Sequence, residues 1–265
     1  MIDYQIICIQ LIDLVKEAAE LVLKESEKRI DFKPEVKGKH DYVTHVDKAV
    51  EAMLVKGLSG FIPESGFIAE EGTSKKIGKK YNWVIDPIDG TTNFIHGLYP
   101  FAISVALMED DEVVIGVVYE FGLKECFYAW KGSQAFLNDT IITVSKVSSV
   151  SDSLIATGFP YTNFKYMEEF FNSLKYFMEN SHGLRRLGSA ATDIVYVASG
   201  RFDGFYEYGL KAWDVAAATF ILERAGGKNS DFSGTKDYLF GEEIISSNAS
   251  IFVEFQQSIK KLMKV

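Results

Sequence analysis

Cysteine is nearly absent from this sequence: Cys8 and Cys126 are the only two in 265 residues, too few for a disulfide framework and without metal-binding spacing. Histidine is as sparse, with four scattered residues and no cluster. A zinc centre of the usual nitrogen and sulfur kind therefore lacks its ligands, and a resident metal would have to be a hard, oxygen-seeking cation such as Mg²⁺. No apolar run reaches the length of a membrane span, and the opening Met1-Ile2-Asp3-Tyr4 lacks the basic start of a signal peptide, so a soluble, cytoplasmic protein is expected. Positive charge is in short supply too. A net charge of -9 argues against a nucleic-acid backbone as the main partner, while leaving room for a small anion held by metal.

Apolar residues make up 47% of the chain, ample for the core of one large domain or two intimately packed lobes, and acidic residues are plentiful. The most informative stretch runs from Asn82 to Phe94. Asn82 to Ile85 reads as a short buried strand, Pro87 cannot donate to a ladder, and Gly90 followed by Thr91 and Thr92 reads as a tight turn into a helix. Asp86 and Asp89 then hang at the carboxyl end of a strand beside a helix start. There they can hold a divalent cation while the amides of Gly90 and Thr91 hold a phosphate. Asp-Pro and Asp-Gly are equally ordinary turn chemistry, and an aspartate caps a helix with no metal present. On its own the stretch leaves both open.

Apolar residues at helical spacing, Ile7, Leu11, Leu14, Val15, Ala18 and Val22, predict a long amphipathic first helix. A polar segment from Lys37 to Asp47 leads into a second helix with the stripe Val46, Val50, Met53 and Leu54, in which Thr44 and Asp47 fit a cap and a first-turn acid. Gly66 to Gly72 reads as a strand ending in Glu70 and Glu71, whose like charges repel unless a counter-ion lies between them, although paired surface glutamates are common. Thr73 to Lys80 is a polar, basic loop, either simply solvated or able to close over a site. The runs Phe101 to Leu107, Val113 to Tyr119 and Lys124 to Trp130 are joined by short turns and predict antiparallel pairing. His96 is available as a general base, but nothing near it in sequence would orient it.

Asn138 to Thr157 is less clearly patterned, with a strand expected around Leu154 to Thr157. Phe164, Met167, Phe170, Phe171, Leu174, Phe177 and Met178 trace the apolar side of an aromatic-rich helix, which suits a core or a subunit interface. Arg185 to Ala190 introduces a helix through Ile194, Val195 and Ala198, and Arg186 could stand as a charge near a phosphate. A strand delivers Glu207, and Asp214 falls at or just inside a helix start, as a plain cap or as a ligand. Gly226 and Gly227 stop that helix, and a strand near Ile244 and a last amphipathic helix complete the order.

The motif from Asp86 to Phe94, together with Glu70-Glu71 and with Trp213-Asp214 followed by alanines and Gly226-Gly227, resembles the inositol monophosphatase family of magnesium-dependent, lithium-sensitive sugar phosphatases. The resemblance spans nearly the whole chain. It implies an α+β fold layered α-β-α-β-α with mixed, largely antiparallel sheets, as a single domain over residues 1–265 with two lobes, about 1–137 and 138–265. It also implies a homodimer, for which the helix around Phe170 offers a contact. By resemblance, two to three Mg²⁺ ions occupy the site: one between Glu70, Asp86 and the carbonyl of Ile88, a second between Asp86, Asp89 and Asp214, and a weaker third near Glu70. Glu70 and Thr91 would align the attacking water, with Asp47 bonding Thr91. Gly90 and Thr91 would hold phosphoryl oxygens, while Asp89, Gly188, Ser189, Ala190, Glu207 and Asp214 would form the substrate wall.

The arginine pair, on the same resemblance, does structural or interface work. Lys211 is the one basic residue in the expected wall and is read as facing solvent, so a ring of neutral hydroxyls suits the wall better than a second phosphate does. The expected reaction is thus hydrolysis of a small phosphate monoester, inositol monophosphate first. Histidinol phosphate and 3′-phosphoadenosine phosphate are the alternatives on the same scaffold, and a regulatory binding protein retaining the fold is the alternative of a different class.

Overall fold

The computed structural model describes residues 2–27, 35–38, 41–161 and 164–264; Lys39 and His40 of the polar segment before the second helix lie outside it. In chain order the elements are α1 (Tyr4–Ser26), β1 (Glu35–Gly38), β2 (Asp41–Val43), α2 (His45–Phe61), β3 (Gly66–Ala69), β4 (Tyr81–Asp89), α3 (Thr91–His96), β5 (Ala102–Glu109), β6 (Glu112–Glu120), β7 (Glu125–Trp130), β8 (Ala135–Leu137) and β9 (Thr140–Ile142). They continue with β10 (Leu154–Thr157), α4 (Met167–Asn180), β11 (Gly183–Arg185), α5 (Ala190–Ala198), β12 (Gly204–Tyr208), α6 (Ala212–Arg224), β13 (Gly227–Ser230), β14 (Glu243–Asn248) and α7 (Phe252–Met263). Strands β3 to β9 form one sheet in sequence order, antiparallel except for the parallel pair β3–β4. The second sheet runs β11-β10-β12-β14-β13 and mixes parallel with antiparallel pairs.

Side-chain size on alternate faces of the strands decides how the layers stack. On β5, Ile103, Val105 and Leu107 point into a core shared with Leu11, Val15, Val50 and Leu54 of α1 and α2. The intervening Ala102 and Ala106 face a second core with α5 and α6, among them Ala216, Ala217 and Ala218. A third core joins α4 and α7 to the second sheet through Phe170, Phe177, Tyr206 and Phe255. Two helices, sheet, two helices, sheet and two helices therefore alternate, the α-β-α-β-α stack expected from the resemblance, built here because each sheet must cover both apolar faces.

Alanine is what lets α6 reach the first sheet. A Cβ at Gly116 of β6 would stand 2.6 Å from the carbonyl oxygen and 3.1 Å from the Cα of Ala217, so strand and helix backbones are in contact there. Ser104 Oγ of β5 donates to the carbonyl of Trp213, 3.3 Å away, fixing the first turn of α6 against the same sheet. Asp214, the next residue, is thereby set over the strand ends.

Three features depart from the expectations. Strand β4 continues past Pro87 to Asp89 instead of stopping at Ile85. The short hairpins β1–β2 and β8–β9 and the edge strands β11 and β13 lie in polar or unpatterned stretches. On α4, only Phe170 and Phe177 of the expected stripe are buried; Phe171 and Met178 are 59% and 69% exposed, and Ser173 takes a buried position by bonding the Phe170 carbonyl and Tyr206 Oη.

Because no flexible side chain can yield at the Gly116 contact, Gly116→Ala should destabilise the protein by about 1–3 kcal/mol. Urea unfolding of parent and variant measures this. A loss below a few tenths of a kcal/mol would mean that α6 is not held against β6 by backbone contact.

Candidate metal centre and active site

The site grows from the break in β4. Asp86 pairs with Ser104 and Asp89 with Ala102, so the strand carries one more residue than its partner between them, in the interval that holds Pro87 and Ile88. Residues three apart on a regular strand face opposite sides; the extra residue returns Asp89 to the side of Asp86. Ile88 N–H donates to Asp86 Oδ1 at 3.0 Å, locking that turn. Asp89 Oδ2 accepts from Ser189 Oγ at 2.6 Å and from the amide of Ala191 at 2.7 Å, at the start of α5. Asp214 Oδ2 accepts from the amide of Lys211 at 2.6 Å, capping α6. One oxygen of each carboxylate is thus tied by the protein, and the three residues offer ligand oxygens all within 4.8 Å of one another.

Around this cluster lies a cavity of about 300 Å³ lined by both halves of the chain, including Glu70, Thr91, Ala190 and Glu207. Glu70 follows β3, its amide bonded to the Ile85 carbonyl at 3.2 Å. Buried Glu51 of α2 holds the next turn by accepting from the amides of Glu71 and Thr73, both at 2.7 Å. Thr91 Oγ1 donates to the Ile88 carbonyl at 3.0 Å and has a longer contact of 3.4 Å with Asp47 Oδ1. The other oxygen of Asp47 accepts from Thr44 N and Oγ1, at 2.8 and 2.5 Å, so Asp47 closes the capping box of α2 while reaching Thr91. Gly90 at φ +92° starts α3, and its Cβ would stand 3.0 Å from the Gly188 carbonyl. First-turn amides of a helix have no partner inside it, and those of Gly90, Thr91 and Thr92 belong to the cavity wall.

The sequence matches the inositol monophosphatase family over residues 3–263. The chain belongs to that family. It is 38% identical over 227 residues to an inositol-1-monophosphatase of Mesorhizobium japonicum, covering 85% of each chain. It is 37% identical over 246 residues to the Nus factor SuhB of Haemophilus influenzae, covering 92% of each. Among solved structures it resembles the extragenic suppressor protein SuhB of Bartonella henselae, at a TM-score of 0.90 and 34% identity over 95% of this chain and 97% of that one.

Within this inositol monophosphatase scaffold the site is electrostatically expensive. Burial first, then the charges of Glu70, Asp89 and Asp214, push the Asp86 carboxyl well above its ordinary range. Burial pushes Asp89 up to about 6 against the lowering hydrogen bonds from Ser189 and Ala191. Burial and the Asp89 charge push Asp214 up to about 7. An all-oxygen, convergent, anionic donor set fits a divalent cation, which would remove this repulsion. Asp86, Asp89 and Asp214 would hold it, with Glu70 and the Ile88 carbonyl at the edge of the same cavity.

Every site residue expected from the sequence falls in or directly behind the cavity. Glu70, Asp86, Ile88, Asp89, Gly90, Thr91, Gly188, Ala190, Glu207 and Asp214 line it. Asp47 and Ser189 stand behind it, bonded to Thr91 and Asp89. Lys211 lines it and pairs with Glu242, and His96 is exposed at the end of α3, away from it. Arg186 lines the cavity, where a charge near a phosphate would stand, whereas the resemblance gave it structural or interface work. Two supporting residues went unread: Glu51, one helical turn after Asp47, and Asn93, whose Nδ2 bridges the carbonyls of Pro100 and Leu187 at 2.7 and 2.8 Å and so joins α3 to the segment before α5. A polar residue at helical spacing from an identified one was the available signal for Glu51.

Acids whose folded pKa is raised hold protons that the unfolded chain has released, so their contribution to stability is complete below about pH 4 and is lost as pH rises through 6 and 7. Metal-free protein should therefore melt at a lower temperature at pH 8 than at pH 5, and added Mg²⁺ should raise the melting temperature more at pH 8. Thermal scans with and without chelator test this. A metal-free midpoint that rises with pH, or a magnesium shift independent of pH, would contradict the assignment.

Proposed function

We propose that this protein hydrolyses a small phosphate monoester with Mg²⁺, and that inositol monophosphate is its preferred substrate. The convergence of Asp86, Asp89 and Asp214 within 4.8 Å at a small cavity carries the proposal. Two or three Mg²⁺ ions held by Glu70, Asp86, the Ile88 carbonyl, Asp89 and Asp214 would supply Lewis acidity, lowering the pKa of water and neutralising the phosphate. The chain's own groups do the positioning. Thr91 donates its hydroxyl proton toward Ile88 or Asp47, which leaves its oxygen lone pairs to accept from the attacking water beside Glu70. Amides at Gly90 and Thr91 take phosphoryl oxygens, and Glu207 and Asp89, with Gly188 and Ala190 alongside, take hydroxyls of the leaving group.

Relatives named Nus factor SuhB match as well as those named inositol-1-monophosphatase, so names alone do not choose between catalysis and regulation. A docking surface needs no buried acid cluster, and that observation favours catalysis. The same proposal carries lithium sensitivity, a cytoplasmic location and a homodimer, the last supported by the exposed apolar side of α4 at Phe171 and Met178. Among the described residues no helix is long and apolar enough to cross a membrane.

Asp86→Asn should abolish phosphate release at saturating Mg²⁺ while leaving the metal-free melting temperature no lower than the parent's, since it removes a charge from a repelling cluster. Thr91→Ala should lower kcat about a hundredfold with little change in Mg²⁺ affinity, as expected for a group that orients water. Near-parent turnover in Asp86→Asn, or equal losses of turnover and metal affinity in Thr91→Ala, would contradict these roles.

A further inference from the structure

On the cavity wall, Arg186 is a cation without an ion-pair partner among the described residues. Its guanidinium lies over the rings of Phe159 and Tyr161, 5.2 and 5.7 Å from their centroids, and Nη2 donates to Tyr161 Oη at 2.5 Å. Such stacking fixes a guanidinium while leaving donors in its plane available. Nε is buried and has no acceptor, and among the described residues Nη2 is the one guanidinium nitrogen with a hydrogen bond. Nη1 lies beside Gly188: a Cβ there would stand 2.7 Å away, and Gly188 at φ +98° is a position where other residues are strained. Glycine thus keeps the arginine at the cavity edge.

Two acids face Arg186 without touching it. Glu207 of β12 lines the same cavity, is buried, and packs so tightly on Gly158 that a Cβ at Gly158 would fall 2.0 Å from its carboxylate. Asp193 of α5 is buried behind the wall, with Oδ1 lacking any donor. Burial first, then neighbouring carboxylates, hold both carboxyls well above their ordinary range against the opposing charge of Arg186, and among the described residues no ion pair joins them to it. Buried polar groups are normally partnered, and a stacked guanidinium with donors lacking acceptors, on the cavity wall that also carries Glu207, is the arrangement that a ligand completes.

We infer that Arg186 and Glu207 together read a pair of neighbouring hydroxyls on the leaving group, Arg186 donating to one oxygen and Glu207 accepting from the other, which makes Arg186 a specificity-determining residue for polyol monophosphates. The inference rests on the proposed phosphatase reaction. A second phosphate would need a further cation on the wall. Lys211 does not supply one, because it is paired with Glu242. The wall is therefore selective by hydrogen-bond pattern, as a site with fixed polar groups rejects ligands that leave them unpaired.

The test compares kcat/KM for myo-inositol 1-phosphate, for p-nitrophenyl phosphate, which has no hydroxyls, and for fructose 1,6-bisphosphate, in the parent, Arg186→Met and Arg186→Lys. Loss of a charge-assisted hydrogen bond should lower the ratio of inositol phosphate to p-nitrophenyl phosphate by roughly 10- to 100-fold in Arg186→Met, mostly through KM, with partial recovery in Arg186→Lys. An unchanged ratio, in variants that melt within a few degrees of the parent, overturns the inference. A selective loss of the bisphosphate overturns it too, by making Arg186 a second-anion receptor. If the parent releases phosphate from none of the three with Mg²⁺, the proposed reaction itself fails; if it hydrolyses them and only the ratio stays fixed, the reaction stands and the role of Arg186 falls.

Discussion

Mutual repulsion among buried carboxylates is the constraint on which the rest of this structure depends. Asp86, Asp89 and Asp214 bring oxygens within 4.8 Å of one another in surroundings that already disfavour charge. Left to itself, such a cluster would separate or take up protons. Here it is held by short covalent and hydrogen-bonded tethers: the extra residue in β4, the Ile88 amide, the start of α5 on Asp89 and the capping amide of Lys211 on Asp214. Rigidity of that kind is useful only if something else supplies the compensating charge.

The layered fold serves the same end. Two helices lie between two sheets, and both aim their amino-terminal turns at the broken end of β4. That approach needs small residues on both sides of the contact, which explains the run of alanines after Asp214 and the glycine at 116. Asn93, bridging Pro100 and Leu187, ties α3 to the chain before α5, so the first turn of α3 and the approach to α5 are fixed relative to each other.

Much of this was legible in the sequence, for a physical reason: Asp86 and Asp89 are short acids beside Pro87 and Gly90, and such residues mark strand ends and helix starts by local chemistry alone. The order of helices and long strands was equally plain, because their periodicity reports burial. The stacking that sets Arg186 at the cavity edge was not, since it depends on how Phe159, Tyr161 and Gly188 meet in space and none of them is periodic with it. On α4 the sequence offers more apolar residues than one stripe can bury, and spacing alone could not show that Phe170 and Phe177 go inward while Phe171 and Met178 stay out. The edge strands β11 and β13 are polar and short, without the alternation that marks a half-buried strand.

The central claim, that the acid cluster is a divalent metal site serving phosphate chemistry, is tested most directly by diffraction from crystals soaked in Mn²⁺ and inorganic phosphate. Anomalous scattering should place manganese among the carboxylates of Asp86, Asp89 and Asp214, with phosphate against the amides of Gly90 and Thr91. Manganese found only elsewhere, or a cluster that stays metal-free at saturating concentration and pH 8, would contradict the account.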